Sequence, residues 1–307
     1  MRYKILLLAL SIFGFENIAF SQMMMKPKMS TADSLRAEGN IKGAIAERKK
    51  MYLNNPKDQQ NIYNLACALS IGKQIDSCFK YLNMAVEMDT SISALMDSDF
   101  VTVRKDKRWP AFETKLIAMI NKKLKNPYND IDYTKALWKL RAFDQAYQDE
   151  IGIAGRKVGL RSSVQEALWS FKFLINELNQ KELVALVDKK GWPKAKDVGK
   201  DGVFTAWLVI QHSNSELQEK YMPDIKKSCE ANELPWERFA FVYDRCLFNS
   251  GKPQKYGTHT KYNEITNSEE LYPLLDESMV DIWRKEVGLP PLAEYLALFN
   301  IKYQPKK

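Results

Sequence analysis

Both histidines of this chain lie in its C-terminal half, among polar residues set in apolar surroundings. Gln211-His212 follows the run Gly-Val-Phe-Thr-Ala-Trp-Leu-Val-Ile at 202–210, and Asp244-Arg245 sits inside an equally apolar stretch at 238–248. An imidazole oriented by a carboxylate is a general acid or base, and a guanidinium beside it holds an anion. His212 and Asp244 are therefore the candidate catalytic pair, with Arg245 or Arg284 as the anion holder. The segment Gln254-Lys255-Tyr256-Gly257-Thr258-His259-Thr260 completes the candidate site. Gln211, Arg245, Gln254, Tyr256, Gly257, Thr258, His259 and Arg284 make up its ligand-binding set. No G-x-S-x-G elbow, phosphate loop or H-E-x-x-H occurs, and nothing marks a nucleophile. Two histidines and Asp244 lack the local spacing of a metal site, so neither metal nor cofactor is expected.

These residues need elements to position them. The stretches 202–213 and 238–248 are apolar nearly all round, which predicts buried helices rather than amphipathic ones. A buried polar side chain without a partner costs about 1–3 kcal/mol. The Asp244 carboxylate, the Arg245 guanidinium and the His212 ring are thus expected to satisfy one another or to line a cleft. Segment 254–260, with aromatics, threonines and Gly257, suits a short β-hairpin or an extended loop. Apolar patterning predicts further helices over 133–153, 163–178 and about 180–190, the last ended by Gly191-Trp192-Pro193. Helix 163–178 carries Leu168, Trp169, Phe171, Phe173, Leu174 and Leu178. Residues 278–300 continue as helix, interrupted at Pro290-Pro291.

A 34-residue period appears between about 28 and 90. Its second copy reads Ile62-x-x-Leu65-Ala66-x-x-Leu69, then Cys78-x-x-x-Leu82-x-x-Ala85. Small residues let two antiparallel helices approach, and bulky ones fill the groove between repeats. The pattern resembles the tetratricopeptide repeat, over about 28–120 with its closing helices. Lys28, Thr31 and Arg48 stand at bulky positions of the first copy, as befits a solvent-facing end. In the closing segment, Asp99 is expected to cap the helix after it. The resemblance implies contact with another protein or peptide.

In order, Asp144-Gln145, Gly191-Trp192-Pro193, Gln211-His212, Asp244-Arg245, Gln254-x-Tyr256-Gly257-Thr258 and Arg284-x-x-x-Gly288-Leu289-x-x-Leu292-x-x-Tyr295 resemble an uncharacterised bacterial domain family, domain of unknown function 6624, over about 135–300. The resemblance adds Asp144 and Gln145 to the ligand-binding candidates. It brings no established reaction. Gln148 stands where the family pattern leads one to expect Arg, and His259 where it leads one to expect Gln.

Residues 1–21 have the order of a secretory signal. Arg2 and Lys4 come first, then apolar Ile5–Phe15, then Ala19-x-Ser21, which places cleavage between Ser21 and Gln22. A periplasmic or secreted location follows, with no transmembrane helix in the mature chain. Cys67, Cys78, Cys229 and Cys246 sit in apolar helical contexts and read as buried thiols. The net charge of +8 is one-sided. Residues 22–127 hold 18 Lys and Arg against 11 Asp and Glu, and residues 128–307 hold 26 of each. Export makes nucleic acid an improbable partner of that basic half. With 307 residues, the chain suits two domains after the signal, divided in the polar stretch around Pro127: a repeat module at 22–127 and a helical domain at 128–307. The expected class is all-α, tetratricopeptide-like hairpins followed by a helical domain with one small β-hairpin. The expected role is an exported protein-interaction scaffold with a polar ligand pocket, the alternative being a hydrolase or transferase with His212 as general acid or base.

Overall fold

The computed structural model describes residues 29–263, 265–266 and 268–304. The export signal expected at 1–21 lies outside the described residues. Helices dominate, with one two-stranded antiparallel sheet among the described residues, which is the all-α class with a small hairpin. Among those residues no helix is long and apolar enough to cross a membrane. The chain divides into two compact units, one ending at Val209 and the other starting at Ile210.

The first unit opens with α1 (Thr31–Ala37) and α2 (Ile41–Asn54), then α3 (Gln59–Ile71) and α4 (Ile75–Met88). Side chains fix three of the four starts. Ser30, Asn40 and Asp58 each accept from a backbone N–H in the first turn of the helix that follows. Ala66, Cys78 and Ala85 are fully buried, so small side chains lie where α3 and α4 pack. Leu65, Leu69 and Leu82 fill the core around them. Arg48, out of place in an apolar pattern, pairs with Asp33.

After the short α5 (Ser93–Met96), Asp97 caps a 3-10 turn by accepting from Asp99 N at 2.8 Å. The cap expected at Asp99 is thus Asp97. Asp99 instead takes a two-pronged bond from Arg36, at 2.6 and 2.7 Å. Arg36 also reaches Asp149 at 2.7 Å.

Helices α6 (Trp109–Leu124) and α7 (Ile131–Gln145) join the same core. Trp138 of α7 shares it with Leu65 and Leu116, and Tyr128 packs edge-on to Trp138 at 5.1 Å. The polar stretch at 121–134 therefore carries no break in packing. The helix expected over 133–153 is two helices. Tyr147 adopts a left-handed conformation (φ 69°) between α7 and α8 (Gln148–Val158).

The helices expected at 163–178 and 180–190 are one, α9 (Ser163–Lys190). Its orientation reverses the pattern read from sequence. Gln165, Lys172 and Asn179 are buried, while Phe171, Phe173, Leu174 and Leu178 are exposed. The break after α7 accounts for part of this, because it leaves the Asp144 carbonyl without a backbone donor. Asn179 Nδ2 donates to Leu140 O at 3.2 Å, Lys172 Nζ to the carbonyls of Phe143 and Asp144, and Gln165 Nε2 to Ile151 O at 3.3 Å. Burial lowers the Lys172 pKa. Helix α10 (Ala195–Gln211), broken at Gly199 (φ 73°), follows.

The second unit holds α11 (Ser215–Glu230), α12 (Trp236–Asn249), β1 (Thr260–Asn263), β2 (Ser268–Leu271), α13 (Val280–Glu286) and α14 (Leu292–Ala297). Thr260 lies opposite Leu271 and Asn263 opposite Ser268. Segment 254–259 is the loop before this hairpin rather than part of it. One cluster of the unit's core gathers Val280, Leu292, Tyr295 and Leu296, another Ala240, Tyr256 and Val287. All four cysteines are buried and free.

Asn179→Leu makes α9 more apolar yet is expected to cost about 0.5–1.5 kcal/mol, the net worth of the buried hydrogen bond it removes. Leu178→Ser on the exposed side is expected to stay within about 0.5 kcal/mol in dilute solution. Urea unfolding of the two variants measures both.

Candidate functional site

Asp244 lies on the buried side of α12, and segment 254–259 wraps around its carboxylate. Oδ1 accepts from Lys255 N at 2.8 Å and Tyr256 N at 3.0 Å. Oδ2 accepts from Thr258 N at 3.1 Å and Thr258 Oγ1 at 3.0 Å. The carbonyls of the same loop face a cation. Arg284 of α13 donates from Nη1 to Tyr256 O at 2.6 Å and Gly257 O at 3.4 Å, and from Nε to Pro290 O at 2.5 Å. The loop is thus bracketed, its N–H groups on an anion and its C=O groups on a cation.

Gln254 ties the loop at its base. Its amide donates to His259 O and Tyr272 O at 2.9 and 2.8 Å and accepts from His259 N at 2.8 Å. Gly257 has φ 67°, and a Cβ there would meet Leu292 Cδ1 at 2.8 Å, so both conformation and space call for glycine. Tyr295 closes the cluster, donating to Thr258 O at 3.0 Å, with the Arg284 guanidinium 4.9 Å from its ring centre. Burial pushes the Tyr295 hydroxyl up to about 12, and lowers Arg284 to about 10. It also raises the Asp244 carboxyl, against the pull of the amides it accepts from.

The histidine in this network is His259. Its Nδ1 lies 2.8 Å from Thr258 Oγ1. That hydroxyl has one proton, which goes to Asp244, so His259 Nδ1 carries the proton that Thr258 accepts. Burial first, and the Arg245 charge second, hold the ring well below its ordinary pKa and keep it neutral. The Asp244–Thr258–His259 order has the look of a proton relay. All three residues are sealed, however, at 0–2% exposure, so no substrate atom meets them. The arrangement is a latch.

The other expected residues fall apart from it. The helix expected through residue 213 ends at Gln211, and half-buried His212 lies just beyond it. His212 is not a partner of Asp244, whose lone pairs the loop occupies, so the expected His212–Asp244 pairing is corrected. Gln211 is buried, and its Oε1 has no hydrogen-bond partner among the described residues. Asp144 and Gln145 end α7 in the first unit, where Gln145 donates to Asp144 Oδ2 at 2.7 Å. Gln145 also lines a cleft of about 220 Å³ with Arg36, Asp99, Tyr147 and Asp149. The sequence reading missed the ion network of that cleft, having taken Asp99 for a helix cap.

The Arg245 guanidinium lies 6.0 Å from the centre of the Phe248 ring. Among the described residues it makes no hydrogen bond or ion pair. Nε is shut off from solvent with no partner among the described residues, and the residue is only 6% exposed overall. Burial lowers its pKa to about 10, and the phenol of Tyr295 is the one group that offsets this.

Asp244→Asn and Thr258→Val are expected to couple by about 0.5–3 kcal/mol in a double-mutant cycle, whereas Asp244→Asn and His212→Ala add. The unfolded chain takes up a proton on His259 near pH 6.5 that the folded chain refuses. Stability from the neutral ring is full above that pH and falls below it. Between pH 6.5 and 5 the native protein is expected to lose about 1–2 kcal/mol relative to His259→Gln, read from denaturation midpoints.

Residues 132–307, more than half of the chain, match the model of a family described as a family of unknown function, DUF6624. No curated protein and no solved structure was found to match. With its latch, its glycine turn and the arginine that gathers the loop carbonyls all inside the matched region, the chain belongs to the DUF6624 family.

Proposed function

We propose that the protein is an exported interaction scaffold whose second unit binds an anionic group, a carboxylate or phosphate, at Arg245. Arg245 carries this reading. A buried guanidinium without an acid is costly, because desolvation is not repaid by any partner charge. The residue is only 6% exposed overall, so an anion that reaches it meets a largely desolvated guanidinium. Neutral His259 and the Tyr295 hydroxyl lie near enough to feel its charge, and neither neutralises it. Arginine takes carboxylates and phosphates through two parallel N–H bonds. Asp244 and the loop it holds keep this surface in shape and do no chemistry.

The scaffold part rests on the first unit. Its antiparallel hairpins, with small residues at their packing positions, suit tetratricopeptide-like repeats that present a surface to a protein or peptide. Export rests on the charge, apolar run and small residues of 1–21, with cleavage after Ser21. The hydrolase or transferase alternative gains nothing, since the carboxylate meant to orient His212 is occupied elsewhere.

Arg245→Met is the decisive variant. Without ligand it is expected to be more stable than the native protein, by about 1–4 kcal/mol, as when buried charge gives way to packed apolar atoms. With inorganic phosphate or acetate the native protein is expected to melt at rising temperature as the anion is added, and Arg245→Met to stay level. A variant that melts earlier than the native protein, or responds equally to the anions, overturns the reading.

A further inference from the structure

In the first unit, α1, the turn after α3, the 3-10 turn at Ser98–Phe100 and the junction of α7 and α8 line a cleft of about 220 Å³. Part of its lining is an ion network that is already complete. Arg36 donates from Nη1 and Nη2 to Asp99, at 2.7 and 2.6 Å, and from Nε to Asp149 at 2.7 Å. The rest of the polar lining is unengaged. Lys73, Ser98, Thr102, Gln148 and Glu150 face the cleft, and among the described residues their side chains make no hydrogen bond or ion pair. With Arg36 matched by its two carboxylates, Lys73 and Glu150 remain as one spare charge of each sign. Two residues of the cleft, Lys73 and Tyr147, also hold left-handed backbone, φ 56° and 69°. Side chains adopt that conformation at a cost, and such positions gather at binding sites. The Tyr147 ring is fixed edge-on against Phe171 at 5.2 Å. Burial first, and the Glu150 charge second, raise its phenol, so that carboxylate lies beside the ring.

We infer that this cleft binds a free α-amino acid with a short apolar side chain, its ammonium at Glu150 and its carboxylate at Lys73. Charge selects the class. A carboxylate with an aromatic face beside it is a seat for an ammonium, and Tyr147 supplies that face. Asp149 helps, because only its Oδ2 is taken by Arg36. At the other end the Ser98 and Thr102 hydroxyls can donate to a carboxylate that Lys73 attracts. A peptide end brings one of the two charges, and a neutral sugar brings neither. Size agrees. A cavity of about 150 Å³ holds benzene, so a cleft of about 220 Å³ holds a molecule half as large again. That suits one amino acid and excludes a chain of several residues. Ile71 and Val101 give the lining its apolar part, where a short aliphatic side chain rests. This ligand is distinct from the anion assigned to Arg245, which lies in the second unit.

Isothermal titration calorimetry of the purified full chain with L-valine tests the assignment. L-valine is expected to bind with a Kd of about 1 mM or tighter. Isobutylamine and isobutyrate each keep one of its two charges, and both are expected to bind at least about fivefold more weakly. L-tryptophan, too large for the cleft, is expected not to bind. Glu150→Gln is expected to weaken L-valine more than isobutyrate, and Lys73→Gln to weaken it more than isobutylamine. Both positions are exposed, so the variants keep the fold, which circular dichroism checks. Excess inorganic phosphate, the probe of the Arg245 site, is expected to leave L-valine in place. A native protein that takes up no L-valine overturns the assignment. So do single-charge analogues that bind as tightly as L-valine, variants that bind as the native protein does, or displacement of L-valine by phosphate.

Discussion

The second unit turns on one carboxylate. A six-residue loop without regular structure cannot be buried unless its amides and carbonyls find partners. Asp244 takes the N–H groups of three loop residues and Arg284 takes two of its carbonyls, so the loop is held as firmly as a strand in a sheet. Everything nearby follows from that. Gly257 makes the turn between the two charges, Gln254 closes its base, and Tyr295 packs across its back. The opposed charges never touch, and the peptide groups between them carry the interaction.

The same economy appears in the first unit with the polarity inverted. Where α7 breaks at Tyr147, the Asp144 carbonyl is left inside without a backbone donor and α9 supplies the Lys172 ammonium, while Gln165 and Asn179 add second bonds to carbonyls within α8 and α7. A helix normally shows its polar side to water. Here the need of the broken neighbour outweighs that preference, because an unsatisfied buried carbonyl costs more than an exposed leucine.

How much of this could be read from residues alone depends on what each signal measures. Asp58, Ser162 and Asn214 are capping types with the right offset to their helices, yet the sequence reading used none of them and named no helix over 215–230. The gathering of Asp244, Gln254, Tyr256, Gly257, Thr258, His259 and Arg284 was legible, since polar groups in apolar stretches must find company. Which partner each finds was not legible. Sequence reasoning sought side chains for Asp244 and chose His212, whereas backbone amides, which every residue carries, took the place. The facing of α9 escaped for a related reason. Its pattern has polar and apolar stripes of equal period, and the carbonyls that α7 and α8 present to Gln165, Lys172 and Asn179 are not visible in the sequence of α9.

The four thiols have a quieter consequence. Burial raises Cys78 to about 12 and Cys229 to about 11, and raises Cys67 and Cys246 as well. Thiolate, the species that attacks another sulfur, is therefore scarce at neutral pH. In the folded chain, then, burial holds all four thiols back from attack on another sulfur.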